Sequence, residues 1–215
     1  MDVLIACEFS GTVRDEFIRM KHNAISVDLL ESEKPGPHII GDCFDAIKKF
    51  QPFLVIAHPP CTFLCNSGVR WLWNRDGSRN EERWEKMIAA AEFFKRFLQI
   101  PNIKIAIENP IMHRYAREII QKGYDQIVHP YYFGDSVQKA TCLWLSGLPP
   151  LEKTNVVDRG MIYVDPKGRK HGGVHTMLAK NSYLPLMLLP KNEERWKIRS
   201  RTFQGFAKAM AEQWG

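Results

Sequence analysis

Read from the N-terminus, the chain alternates short apolar runs with stretches whose apolar residues recur at helical spacing. "VLIACEF" (3–9) reads as a buried strand, residues 12–21 as a helix, and "AISVDLL" (24–30) as a second strand. A short helix near 45–50 and the strand "PFLVIA" (52–57) come next. In the first helix Val13, Phe17 and Met20 share one face, while Arg14, Asp15 and Arg19 fall elsewhere, so the apolar face is core. Asn80 is placed to cap a longer helix, with Glu81 and Glu82 in the first turn where the helix dipole favours anions. Its predicted buried stripe is Trp84, Met87, Ile88, Ala91, Phe94 and Leu98. The strand "KIAIE" (104–108), a helix through Tyr115 and Ile119, and the strands "QIVHPYYF" and "TCLWL" complete the run.

Strands alternating with helices predict an α/β fold, a doubly wound and mostly parallel sheet, extending to about residue 151. Beyond it, "RGMIYVDPKGRKHGGVH" predicts a hairpin turning at Asp165-Pro166-Lys167-Gly168, with Lys167, Arg169 and Lys170 around its tip. A proline-bearing loop (183–190) then leads to a closing amphipathic helix with Phe203, Phe206, Met210 and Trp214 on one side. Residues 1–215 are expected to form a single domain, with 152–190 as a small insertion.

Composition narrows the function classes. At 215 residues, 45% hydrophobic and 25% charged, the chain can bury one core. No apolar stretch approaches the ~18 residues a membrane span needs, and the N-terminus opens directly on a strand, so a cytoplasmic location is the expectation. A net charge of +6 suits a phosphate-bearing partner without demanding one. The five cysteines (7, 43, 61, 65 and 142) are irregularly spaced, which argues against a disulfide framework. Cys61 and Cys65 lack a second close Cys/His pair, so no metal site is expected.

In an open α/β sheet, ligands bind beyond the carboxyl ends of the strands. The first tip, "CEFSGTVR", places Gly11 where a tight turn leads into a helix whose N-terminus can face a polar ligand, and Phe9 where it could stack on an adenine. Without a full G-x-G-x-x-G, a plain strand-to-helix turn is the alternative. Asp28, near the second tip, is placed to accept from ribose hydroxyls. Asp42 in "GDC" is either a turn residue or an acceptor for an adenine amino group. In "AHPPC", two prolines fix the backbone before Cys61, the setting of a nucleophilic thiol rather than of a buried structural one. Glu108 ends an apolar strand, with Pro110 breaking the sheet behind it. Desolvation there is expected to raise its pKa and make it a proton donor, the alternative being a salt-bridged edge glutamate. Basic and aromatic residues interleave in "CNSGVRWLWNRDGSR" (65–79), either as a mobile loop closing over a base and phosphate or as a solvated connection with two core tryptophans.

Taken in order, "EFSG", "GDC", "HPPC" and "ENP" resemble the motifs of DNA cytosine-5 methyltransferases. "AHPPCTFLCNSGVRWL", "AIENPIMHRYA", "KATCLWLSGLPPL" and "RSRTFQGFAKAMAEQWG" resemble the small cytosine methyltransferase-like proteins of phages and prophages over nearly the whole chain. The resemblance implies a Rossmann-like class I methyltransferase fold and S-adenosylmethionine as cofactor. It assigns Phe9, Ser10 and Gly11 to the cofactor loop, Asp28 and Leu29 to the ribose, and Asp42, Cys43 and Pro59 to the adenine side. Cys61 matches the nucleophile that adds to cytosine carbon 6, and Glu108 matches the residue that binds the cytosine edge. Pro60, Ser67, Asn109, Pro110 and Gln138 are implied on the substrate side. Where larger relatives carry Gln-x-Arg-x-Arg, this chain has Ala140 and Cys142 at the arginine positions, leaving Lys139 or Arg70 to hold the base. The implied partner is DNA, read with a short or relaxed preference because the insertion falls well short of the roughly one hundred residues of a recognition domain. A free cytosine nucleotide such as dCMP, or a non-catalytic binding role, are the alternatives; the chain does not specify an oligomeric state.

Overall fold

The computed structural model describes residues 1–171, 173 and 193–215. Its centre is a seven-stranded sheet built from β1 (Asp2–Ala6), β2 (Asn23–Asp28), β3 (His38–Ile40), β4 (Leu54–Ala57), β5 (Lys104–Pro110), β6 (Gln126–Val128) and β7 (Thr141–Ser146). The strand order is β3-β2-β1-β4-β5-β7-β6. All neighbours pair in parallel except β7, which runs antiparallel to both β5 and β6. This is a Rossmann-like, doubly wound α/β fold with its crossover helices on both faces.

Alternation along each strand sorts the core into two layers. Val3, Ile5, Leu54, Ile56 and Ala106 face α1 (Thr12–Arg19) and the last helix, which supplies Phe206, Met210 and Trp214. Leu4, Ala6, Val55, Ala57, Ile105 and Ile107 face the opposite side, against α2 (Cys43–Phe50), α3 (Glu81–Leu98) and α4 (Arg114–Ile120). Asn80 caps α3 as expected, its side-chain oxygen accepting from the Arg83 amide. The closing helix divides into α5 (Glu193–Ser200) and α6 (Gln204–Trp214). The hairpin forms from β8 (Tyr163–Val164) and β9 (Lys170–His171), with the Gly168 amide donating to the Asp165 carbonyl across the expected turn. Its expected extension to 175 falls partly, and the loop at 183–190 wholly, outside the described residues.

Several elements depart from the apolar pattern. β1 ends at Ala6 rather than residue 9, because Cys7 takes a left-handed conformation (φ 58) that leaves the sheet. β3 is absent from the sequence reading: three residues, none fully buried, carry too little pattern. Met20 lies beyond α1 and is 38% exposed, and Ile88 is 40% exposed, whereas Phe97, outside the expected stripe, is fully buried. Pro110 does not break the sheet; its strand continues to pair, with Pro110 opposite Thr141. "QIVHPYYF" is strand only to Val128, after which Pro130–Tyr132 form a 3-10 turn.

The largest departure is Arg14, placed on the polar face by its spacing yet fully buried. Its guanidinium donates to Asp15 Oδ1 (2.7 and 2.9 Å), Ser26 Oγ (3.3 Å), Ser32 Oγ (3.1 Å) and the carbonyls of Lys34 (3.4 Å) and Pro35 (3.0 Å). A Cβ on Gly11 would lie 2.5 Å from Arg14 Nη2, and one on Gly36 2.7 Å from Cζ, so both glycines make room for it. The planar fork thereby ties α1 to the loop after β2. Arg14→Ala is expected to cost about 2–4 kcal/mol through stranded acceptors, and Arg14→Lys nearly as much because an ammonium cannot span them. Denaturant unfolding checks both; a loss within about 0.5 kcal/mol for either would mean the network contributes little.

Candidate active site at the tips of the central strands

The Pro-Pro corner acts first through the ladder. His58 makes the last β4 bond, its amide donating to the Ala6 carbonyl at 2.9 Å, and neither Pro59 nor Pro60 has an N–H to extend it. The chain then turns, with the Leu64 and Cys65 amides both donating to the Cys61 carbonyl (3.0 and 3.1 Å). This turn is fastened to the end of β5 and the segment after it. Buried Asn109 donates from Nδ2 to the Pro59 carbonyl (2.8 Å), and the Asn66 amide donates to Ile111 (3.1 Å). The His113 amide donates to Leu64 (3.0 Å), while its Nε2 donates to the Phe63 carbonyl (2.9 Å) and its Nδ1 accepts from the Ala116 amide at the start of α4. Cys61 and Glu108 therefore sit on adjacent, mutually fixed strand tips.

Around Glu108 the structure gathers His58 Nδ1, 3.3 Å from Oε2, together with the Thr141 hydroxyl and the charge of Lys139. Burial alone pushes the Glu108 carboxyl up, as expected, but hydrogen bonding from His58, the Lys139 ammonium and hydrogen bonding from Thr141 outweigh it and hold the group below its usual range. The expected proton donor is thus an ionised carboxylate in the resting protein.

Cys61 and Cys65 form a hydrogen-bonded thiol pair one turn apart. Cys65 is drawn down to about 5, by the bond from Cys61 first and then by the Ser67 hydroxyl (3.1 Å) and the amides of Gly68 and Ser67. Cys61 moves up, because it donates to Cys65, is buried, and faces the charges of Cys65 and Glu108; only Lys139 opposes this. Cys65 is thus the more acidic thiol of the pair, a residue not anticipated from sequence although its spacing of one helical turn from Cys61 was visible. His58 and Thr141 were likewise missed.

The remaining expected residues fall into three places. On the cofactor side, Asp28 ends β2 and accepts from the Leu30 amide (3.0 Å), Leu29 is 77% exposed, and Asp42 caps α2 by accepting from the Phe44 and Asp45 amides. Both carboxylates act on Cys7, whose thiol is pushed up by its bond to buried Cys43, by burial and then by those two charges. Phe9 and Ser10 are buried and Gly11 holds the left-handed N-cap position of α1 (φ 66). The helix start is not open to a ligand anion, however: the buried Glu8 carboxylate accepts from the Val13 (2.7 Å) and Arg14 (3.3 Å) amides, and Ser10 Oγ accepts from Thr12. On the substrate side, Pro60 and Gln138 are exposed, and Arg70 stacks on Trp71 (4.3 Å). The 65–79 segment is a 3-10 helix (Asn66–Leu72) followed by a turn bridged from Trp73 to Arg79; Leu72 is its buried anchor, while Trp71 and Trp73 are 52% and 42% exposed.

No protein-family model matches this chain, and no curated protein does. Among solved structures it is similar to Entamoeba histolytica methyltransferase EhMeth (TM-score 0.47, 14% identity), covering 75% of this chain and 58% of that one. It is also similar to a mutant of Spodoptera frugiperda DNMT2 (TM-score 0.36, 13% identity), covering 74% of this chain and 54% of that one. The likeness thus extends over little more than half of either neighbour. Among the described residues no helix is long and apolar enough to cross a membrane, and no three His, Cys, Asp or Glu side chains are grouped to hold a metal ion.

Two outcomes follow from these charges. Iodoacetamide at mildly acidic pH should alkylate Cys65 before Cys61, read by peptide mass mapping, and Ser67→Ala should slow it; earlier labelling of Cys61 would contradict the charge assignment. Because folding holds Glu108 below its unfolded value of about 4.3, its stabilisation is present above that pH and lost as pH falls through the folded value. Glu108→Gln should therefore flatten the acid limb of the stability profile, and an unaltered limb would mean the carboxylate is not stabilised by folding.

Proposed function

We propose that this chain is an S-adenosylmethionine-dependent methyltransferase acting on carbon 5 of cytosine, in DNA with a short or relaxed sequence preference. The observation that supports this most directly is the fastened pair of strand tips, which holds a thiol and a carboxyl side by side next to Lys139. Methylation at carbon 5 requires both groups, since that carbon is a poor nucleophile. Addition of the Cys61 thiolate to carbon 6, with a proton placed on N3 by Glu108, makes carbon 5 enamine-like. The resting site holds these groups in the opposite states, a Cys61 thiol beside a Glu108 carboxylate. Moving one proton from the first to the second arms both without net charge change. Lys139 favours the Cys61 thiolate directly. Loss of the carbon 5 proton to a base then expels Cys61 and returns the N3 proton.

The residues present fit the nucleoside end of the cofactor: Asp28 and Asp42 both act on the Cys7 thiol, so they converge on one place, where they would accept from ribose hydroxyls and an adenine amino group. The first amides of α1 do not serve the methionine carboxylate, because Glu8 and Ser10 already use them. When bound, S-adenosylmethionine supplies an electrophilic methyl group.

A cytosine within a duplex must be flipped to reach Cys61, and exposed Arg70 and Trp71 beside the catalytic turn suit phosphate and base contact. The small size of the β8–β9 hairpin, two residues per strand, favours a second reading: methylation of free dCMP, which needs no recognition domain.

Methyl transfer from radiolabelled S-adenosylmethionine to double-stranded DNA, single-stranded DNA and dCMP, run in parallel, tests these readings. Label is expected in DNA, with Cys61→Ser at background and Glu108→Gln reduced about 100-fold or more. Label only in dCMP would select the second reading. Undiminished transfer by Cys61→Ser, or no covalent trapping by a 5-fluorocytosine substrate, would overturn the mechanism.

A further inference from the structure

His58 precedes the two prolines, and its imidazole lies against the Glu108 carboxylate. The imidazole is 10% exposed and the Glu108 side chain 17%, with Nδ1 and Oε2 3.3 Å apart. A carboxylate can only accept, so the proton in this contact is on Nδ1. The other ring nitrogen, Nε2, is buried and has no hydrogen-bond partner among the described residues. A second ring proton would sit at Nε2 as an unsatisfied donor, so the contact is best satisfied by the Nδ1–H tautomer. Glu108 is thus the one hydrogen-bond partner of this ring among the described residues. A ring serving only to fill space would not need to bury an unpaired nitrogen; such groups persist where a site uses them.

The placement is specific. Glu108 lies on β5 between β4 and β7, and its carboxyl is held from both neighbours, by His58 at the β4 tip and by Thr141 at the start of β7. The titratable or charged groups that face it among the described residues are His58 and Cys61 from the β4 side and Lys139 and Cys142 from the β7 side. Of these His58 is the one with a side-chain hydrogen bond to the carboxylate, at 3.3 Å, and it stands three residues from Cys61 on the same rigid corner.

Building on the methyltransferase reading, we propose that His58 is the positioning residue of Glu108: its Nδ1–H aims the carboxyl at the base and governs how readily that carboxyl takes up the proton N3 requires. Removing the imidazole frees the carboxyl to rotate and removes a donor that favours its ionised form, so the protonated form persists to higher pH.

The test titrates Glu108 directly, by carbon-13 NMR of protein labelled at the glutamate carboxyl carbon, with the signal identified by its loss in Glu108→Gln. His58→Leu should raise the Glu108 midpoint by about one pH unit or more. His58→Asn, which keeps a side-chain donor, should restore part of the difference and guards against a variant that fails to fold. In methyl transfer the acid limb of kcat/KM should move up with the NMR midpoint, while kcat falls because the carboxyl is no longer aimed. A folded His58→Leu protein with an unchanged Glu108 midpoint would overturn the proposal. A His58-dependent midpoint in a protein that methylates no cytosine substrate would uphold the pair and remove the methyltransferase reading.

Discussion

The site depends on the fastening of two strand ends. β4 and β5 are ordinary neighbours in a parallel sheet, and their ladder bonds end where the prolines begin. Past that point Asn109, His113 and the Asn66 amide take over, holding the Cys61 turn to the Glu108 strand end. Each bond is modest, but together they replace a floppy loop with a corner whose position relative to Glu108 is set to within side-chain reach. Proximity of that kind is what any reaction using both groups requires.

Charge at this corner is arranged against premature reactivity. Cys61 is flanked by two acidic groups, Cys65 and Glu108, with Lys139 opposing them. Ionising Cys61 in the resting site would therefore place a further negative charge in a partly buried space. When Glu108 accepts a proton, one of these repulsions disappears and the thiolate becomes less costly. The Cys61 thiol and the Glu108 carboxyl are thus coupled through the field between them, and His58 and Thr141 act on Glu108 from its other sides.

At the tips of β1 and β2, the chain has used its helix start for itself. Glu8 takes the amides of Val13 and Arg14, and Arg14 draws the loop after β2 onto α1. Both residues stand in a stretch where a ligand loop was expected. Their burial converts much of that loop into structure and leaves Asp28 and Asp42 as the exposed or half-exposed acceptors on this side.

Local regularities were legible without the fold. The period-2 and period-3.6 patterns located six of the central strands and most helices, the Asn80 cap and the Asp165–Gly168 turn follow from nearest-neighbour chemistry, and the Pro-Pro-Cys and Glu-Asn-Pro corners identified the strand tips that meet. What the sequence could not settle were properties that arise between segments. Arg14 reads as a surface residue because its acceptors lie in a loop some twenty positions away. Met20 and Ile88 fit the helical period but lie at the surface among the described residues. Glu108 was expected to be protonated because burial is written into its apolar strand, whereas the groups that keep it ionised come from His58, Lys139 and Thr141 on neighbouring strands. The sequence by itself determined which segments become strands and which side chains stand at their tips, since both follow from local sterics and hydrophobic periodicity. Only the tertiary structure decided the charge on each tip, because a pKa is the sum of interactions over a few ångströms of space, whatever their separation along the chain.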